Sequence, residues 1–517
     1  MRRKKESSSI VILIVIIISV LTTSIIMNSA KDNNDKLVEA SIETDNSDQD
    51  IKWEQYKTID INLTETVSLK QSGVYHLTGS LSSGSVNIDV GETGEVKLIL
   101  DNVSISNPNG PAISCTSGND LVIELIGQNT ITDGENYDTT LDEDIRATLY
   151  SKADLTIGGN GEIVINSKSE DGIISKDDLK FNGGKYTITA KDDGIRGKDS
   201  VYIVNGDFVI DAGADAIKST NEIDAGKGFV LIENASMSVK SGAKGIKSIN
   251  NILIYGGNYS IDSYDDAIHS DNYVKISGGD ININSGDDGI HANRELIISG
   301  GKIAIEKSYE ALEAQAITIN DGDISTVSSD DGINAGGGAD SSSVNRMGAN
   351  PFDANESCMI AINGGNLKIN SAGDGIDSNG YLYINGGTII VDGPINNGNG
   401  ALDSGSGIIM NGGEVIAIGA SGMAVDLGTS SSIYNLSVYF DTMMPSGTNI
   451  TIKDTDGNTV LTHTSSKSFN HLAAGTSNFL PTKTYIIYIN NEEYERFTIS
   501  SIVTTVGNTY DIMKKRR

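Results

Sequence analysis

The sequence predicts an all-β chain wound as a parallel β-helix, and three observations predict it. One phrase recurs as Asp171-Gly-Ile, Asp193-Gly-Ile, Asp215-Ala-Ile, Asp266-Ala-Ile, Asp288-Gly-Ile, Asp331-Gly-Ile and Asp374-Gly-Ile, in steps of 22, 22, 51, 22, 43 and 43 residues. Lys244-Gly-Ile divides the 51-residue step and Glu310-Ala-Leu the first 43-residue step, so the period is about 22, and such self-similarity marks stacked repeats sharing one core. Within a period, Val274, Ile276, Ile281 and Ile283 alternate around Gly278-Gly279; alternation marks strands with one buried face, and the Gly pairs mark turns. Finally, 58 Gly, 6 Pro and 5% aromatics in 517 residues suit tight turns and short strands better than long helices.

At the N-terminus, a basic tail over residues 1–9 contains Arg2-Arg3-Lys4-Lys5, and an apolar stretch follows over 10–27. Its length is at the lower edge of a spanning helix, and basic residues before it hold that end inside. A membrane anchor is expected; the alternative is a cleaved signal, but no small-x-small site precedes Lys31. Residues 28–55 are rich in Asp, Asn and Ser without apolar period and read as a disordered linker. Trp53 begins the folded region and is expected to plug an end of the core.

The β-helix is expected over 56–430, with twelve or so coils between Val86 and Val415 stacked ~4.8 Å apart into a rod of about 60 Å. Two departures from the period, 336–357 and Glu222 to Gly228, read as loops on one face. After about Gly428 the repeat stops. Leu436-Ser-Val-Tyr-Phe, Ile450-Thr-Ile, Thr459-Val-Leu and Tyr485-Ile-Ile-Tyr-Ile, with the turn Asp456-Gly-Asn, predict a small antiparallel unit over 431–512 that caps the coil, followed by a basic tail, 513–517. Cys115 and Cys358 lie far apart, fit no metal spacing and are expected as small buried side chains.

Stacking turns equal repeat positions into columns. The principal column reads Asp171, Asp193, Asp215, Lys244, Asp266, Asp288, Glu310, Asp331 and Asp374, and the position before it holds Glu170, Asp192, Asp265, Asp287 and Asp330. Carboxylates about 5 Å apart repel by ~3 kcal/mol per pair at an effective dielectric of ~20, so a cation is expected among them. Ca2+, which takes six to eight oxygens, is expected at Asp265-Asp266 over Asp287-Asp288, at Asp192-Asp193 with Asp171 and Asp215, and at Asp330-Asp331 with Glu310. Side chains are the competing source of charge, because the column three residues on reads Ile174, Arg196, Lys218, Lys247, His269, His291, Glu313, Asn334 and Asp377. A third reading needs no ion, since Asp before Gly accepts backbone N–H bonds in turns.

Arg196, Lys198, Lys218 and Lys247 form, with Lys176 and Lys244, a basic strip beside the acids, and His269 and His291 are candidate ligand-binding residues on adjacent coils. That pairing suits an anionic sugar chain held by Ca2+ and by Lys and Arg. A net charge of −31 excludes nucleic acid as a natural partner. Tyr255, Tyr259, Tyr264, Tyr273, Tyr381 and Tyr383 are available for stacking on sugar rings or for packing.

The phrases Tyr150-Ser-Lys-Ala-Asp-Leu-Thr-Ile, Ala190-Lys-Asp-Asp-Gly-Ile-Arg-Gly-Lys-Asp-Ser-Val and Ala216-Ile-Lys-Ser-Thr-Asn-Glu, with the Gly-Gly coils after them, resemble the bacterial carbohydrate-binding family of calcium-containing parallel β-helices. That family is similar in fold to the family 9 polysaccharide lyases. The likeness runs from about Ile59 to about Ser500 and implies a right-handed β-helix, secreted or held at the surface, that binds cellulose or acidic pectic chains and carries Ca2+. The lyases it resembles use a Lys base near a Ca2+ held by Asp, a role that Lys198, Lys218 or Lys244 would fill here. Ala214 and Ala243, where other coils carry an acid, thin the cluster beside Lys218 and Lys244. The leading expectation is thus a monomeric, non-catalytic polysaccharide binder; the alternatives are a Ca2+-dependent pectate lyase and a structural or adhesive rod.

Overall fold

A computed structural model describes residues 44, 51–135, 137, 145–336 and 357–507. The expected N-terminal basic tail, the apolar stretch 10–27, nearly all of the linker 28–55 before Trp53, most of the insertion 336–357 and the tail 513–517 lie outside the described residues. Among those described, no helix is long and apolar enough to cross a membrane.

The chain winds into a β-solenoid of about 14 turns, close to the expected number of coils. Every coil contributes strands to three parallel ladders. The first runs from Val67–Leu69 and Val86–Asp89 through Asp171–Ser175, Ile217–Ser219 and Ile268–Ser270 to Leu402–Ser404. The 22-residue period appears directly in its register: Ile195 pairs with Ile217, Ile246 with Ile268 and Ile268 with Ile290. Each of these isoleucines is fully buried, and burial of one such side chain stabilises by ~1.5–3 kcal/mol. One continuous apolar core results, extending from Leu63 to Ala473. Within it Tyr186 and Phe208 stack at 4.6 Å, and Phe181 meets both edge-on.

Glycine serves two purposes in a coil. The second residue of a Gly pair turns the chain with positive φ, as at Gly279 with φ 108°. The Gly of Asp-Gly-Ile does not bend the backbone in that way; a Cβ at Gly289 would stand 2.6 Å from the carbonyl oxygen of Ala311 on the next coil, so close approach between coils selects the small residue.

At its C-terminal end the solenoid changes direction. Phe469–Thr476 pairs antiparallel with the last coil strand, Glu414–Gly419, and with Asn435–Met444, covering an edge that would otherwise recruit another chain. A second sheet places Asn449–Asp454 between Thr459–Thr464 and Thr484–Ile489, with Glu492–Thr498 outermost, all antiparallel. The expected capping unit is therefore present, though its first strand belongs to the solenoid's own sheet. Cys115 and Cys358 are buried free thiols, as expected. Trp53 is only half-buried, on a 3-10 turn against Tyr56 at 6.0 Å, and plugs nothing.

Candidate functional site

The acid column stands at the corner where each coil enters the first ladder. Its members down to Glu310 are buried, with Asp266 0% exposed and Asp171, Asp193 and Asp288 3% or less, while Asp374 is half-buried. The reason is local. One carboxylate oxygen of each Asp accepts the backbone N–H of its successor one coil on: Asp171 from Asp193 at 3.1 Å, Asp193 from Asp215 at 3.1 Å, Asp215 from Lys244 at 3.0 Å, Asp266 from Asp288 at 3.0 Å and Asp288 from Glu310 at 3.1 Å. Turn chemistry thus operates between coils, satisfying a donor that the corner takes out of the ladder.

The other oxygen meets the neighbouring column, whose register runs Arg196, Lys218, Lys247, His269, His291, Glu313, Asn334, Asp377 as the sequence predicts. Arg196 lies 2.8 Å from Asp171, Lys218 lies 3.3 Å from Asp193 and 2.9 Å from Asp215, and Lys244 lies 2.6 Å from Asp266 and 3.1 Å from Asp265. His269 Nδ1 lies 2.7 Å from Asp266 and its Nε2 lies 2.9 Å from Asp271. Burial pushes Asp266 up, but the His269 hydrogen bond and Lys244 hold it well below the usual carboxylate range. Asp171 is raised to about 7, burial and Asp193 outweighing Arg196. Lys218 is also raised: burial opposes its charge, and Asp193 and Asp215 more than offset that.

Beyond Glu310 the pattern changes. Asp331, Asp374 and Asp377 bring one oxygen each within 4.8 Å of one another, and among the described residues no Lys, Arg or His pairs with Asp331 or Asp374. Burial and the carboxylates of Asp374, Asp330 and Asp377 push Asp331 up to about 8; burial raises Asp374 to about 7. Gly373 stands where other coils carry the first acid, and a Cβ there would lie 2.3 Å from Asp330 Oδ1 and 2.3 Å from Asp331 Oδ1. An all-oxygen donor set around a residue without side chain fits Ca2+, which takes carboxylate and carbonyl oxygens. Asp265, Asp266 and Asp287 also converge within 4.8 Å, with the Lys244 ammonium already between two of them.

The anticipated residues are therefore sorted differently from the expectation. Asp288 leaves the group with Asp265, Asp266 and Asp287 and joins His291 and Glu313. Asp171, Asp193 and Asp215 form a ladder with Arg196 and Lys218, while Asp192 points into solvent. Glu310 accepts a hydrogen bond from Asn334 at 2.8 Å and does not join Asp331. His269 and His291 are 2% and 0% exposed, so neither touches a ligand lying on the outside. Of the basic strip, Lys198 and Lys247 keep their heads outside the column's ion pairs; among the described residues Lys198 pairs with Asp199, at 3.8 Å.

Sequence reasoning missed Glu313, Asp374 and Asp377 as candidate ligands, although two of them stood in the third-position column. It missed a further acidic group, Asp154, Asp177 and Asp178, at another corner. The long loop from Glu222 to Gly228 returns Lys227 to that corner, 2.6 Å from Asp178, so this departure has a structural task.

A family match falls on these same coils. Residues 64–311 match the family of carbohydrate-binding domain-containing proteins. The carbohydrate-binding match covers the acid column from Asp171 to Glu310 and stops before Asp331. A carbohydrate-binding domain-containing protein of Acetivibrio thermocellus is 34% identical over 128 residues, 24% of this chain, and the chain spans 45% of that protein's length. A polysaccharide lyase-like protein from C. thermocellum, solved as a gadolinium derivative, is 29% identical with a TM-score of 0.39, over 47% of this chain and 96% of that one.

Proposed function

We propose that the chain is an extracellular, surface-anchored protein that binds polysaccharide, acidic pectic chains or cellulose, through the corner of the solenoid that carries the acid column. The observation that carries this reading is the carbohydrate-binding match over residues 64–311, which falls on the coils presenting Asp192, Lys198 and Lys247. Tyr264 adds an aromatic surface: it is 79% exposed, immediately before Asp265, and Gly242 and Gly286 hold the same position on the coils to either side. A ring so cleared of neighbours suits the apolar face of a sugar. Asp331, Asp374 and Asp377, with Asp330, are the residues best suited to hold Ca2+, and Asp265, Asp266 and Asp287 form a second set. Bound there, the ion supplies positive charge that an otherwise −31 chain needs beside an anionic polymer. Anchoring rests on the apolar stretch 10–27.

A lyase reading requires a base that gives up its proton near neutral pH. Lys218 is held charged by two carboxylates, and Lys244 donates to Asp265 and Asp266. Both are better suited to neutralise the column than to abstract a proton. The test is co-sedimentation with pectate and with cellulose, at millimolar Ca2+ and with chelator. Ca2+-dependent retention on pectate is expected, without growth of the ultraviolet absorbance of an unsaturated uronate. Steady growth of that absorbance would establish the lyase instead; no retention on either polymer under any condition would leave the structural rod.

A further inference from the structure

We propose that Asp288, His291 and Glu313 form a buried site for a divalent transition ion of the zinc class, chemically distinct from the oxygen-only Ca2+ candidates. His291 fixes its own orientation: Nε2 lies 2.9 Å from Asn293 Oδ1, an oxygen that can only accept, so Nε2 carries hydrogen and Nδ1 is the nitrogen that faces inward. Around Nδ1 stand Asp288 Oδ2 at 3.1 Å and Glu313 Oε2 at 2.8 Å. All three residues are 1% exposed or less. A single hydrogen on Nδ1 serves one carboxylate. It is aligned on Asp288, and Glu313 Oε2 is left buried without a hydrogen-bond donor in spite of its proximity.

An imidazole nitrogen with two carboxylate oxygens around one point is a donor set built from ligand types that zinc accepts. Metal–ligand lengths of ~2.0–2.2 Å in tetrahedral geometry separate ligand atoms by about 3.3–3.6 Å, so the carboxylate oxygens at 3.1 and 2.8 Å from Nδ1 would draw back by roughly half an ångström. Ca2+ is disfavoured by the nitrogen and by the small number of oxygens. Asn293 then acts as the outer partner that orients a ligating His. On binding, the Nδ1 proton leaves to solvent and the ion takes its place between the three atoms. The stacked neighbour His269, 4.7 Å away ring to ring, gathers with Asp266 and His291 into a second three-residue group, but there the Lys244 ammonium already lies 2.6 Å from Asp266 and both His269 nitrogens meet the carboxylates of Asp266 and Asp271.

The test uses the full chain, unfolded with chelator and refolded with Zn2+ or Co2+ in excess Ca2+, then desalted. One Zn2+ per chain is expected by elemental analysis, and Co2+ should give visible absorption bands. His291→Gln and Glu313→Gln should lose the ion, Asn293→Ala should weaken binding by 10- to 100-fold, and Asp331→Asn with Asp374→Asn should leave Zn2+ content unchanged. If the core variants do not fold, the Co2+ spectrum of the native chain and the Asn293→Ala affinity decide. Folded native chain with no stoichiometric Zn2+ and no Co2+ bands would overturn the site, as would undiminished Zn2+ in folded His291→Gln.

Discussion

A buried carboxylate at the acid corner is defined by what its two oxygens do. One always caps the next coil's backbone; the fate of the second decides whether the residue is structural or available. At Asp171, Asp193, Asp215 and Asp266 it belongs to Arg196, Lys218, Lys244 or His269. At Asp331 and Asp374 no such partner stands among the described residues, and burial favours the protonated form there as it does at Asp171. Their folded-state pKa values are raised to about 8 and about 7 from 3.8. The folded chain therefore holds these protons more tightly than the unfolded one. The resulting stability is complete below about pH 4 and is lost as pH rises through 7 to 8. With chelator, the chain is expected to melt several degrees lower at pH 8.5 than at pH 5.5, and Ca2+ should reverse most of that fall. Asp331→Asn with Asp374→Asn should reduce the pH dependence, leaving the part that Asp171 contributes, and should reduce the Ca2+ response, because Asn keeps an oxygen for the backbone bond but carries no charge. A double variant that responds to Ca2+ as the native chain does would place the ion elsewhere.

The coil is a unit whose parts differ in what they contribute. Its inward isoleucines carry the stability. Ile268 is fully buried between Ile246 and Ile290, so Ile268→Ala is expected to cost about 2–5 kcal/mol in denaturant unfolding. The outer turn carries much less. Asn363, Asn385 and Asn411 form a ladder, each amide donating to the asparagine one coil before at 2.9–3.0 Å, and Asn385→Ala, which breaks two of these exposed bonds, should cost only about 1 kcal/mol. A larger loss at Asn385 than at Ile268 would mean that the turns, and not the core, hold the coils together.

The molecule as a whole is a stack with one end visibly managed. Parallel coils end in an open edge unless something terminates them, and Phe469–Thr476 does so by running antiparallel to Glu414–Gly419. Around this strand the cap has its own core, including Phe440, Phe469, Phe479 and Tyr485. A chain ending at residue 430 is therefore expected to self-associate through the exposed strand, seen as dimers or larger species by light scattering. A truncated chain that stayed monomeric and soluble would show that the last coil needs no cover.

Periodicity alone determined the parallel coil, its register and which residues share a column, because in a solenoid a fixed sequence offset becomes a fixed spatial relation. Asp171, Asp193 and Asp215 could be stacked on paper for that reason, as could His269 over His291. The direction in which side chains at a corner lean was decided by packing in three dimensions. Asp288 and Asp266 both follow an Asp and precede a His by three residues, yet the first turns to His291 and Glu313 and the second to Lys244 and His269. The difference comes from the coils on either side, where a Lys, a Glu or a Gly settles how much charge and space is left. The strand order of the cap was likewise a tertiary result, since short alternating segments do not encode their partners. Stacking follows from a repeat that every coil shares, whereas a binding site arises where neighbouring coils differ.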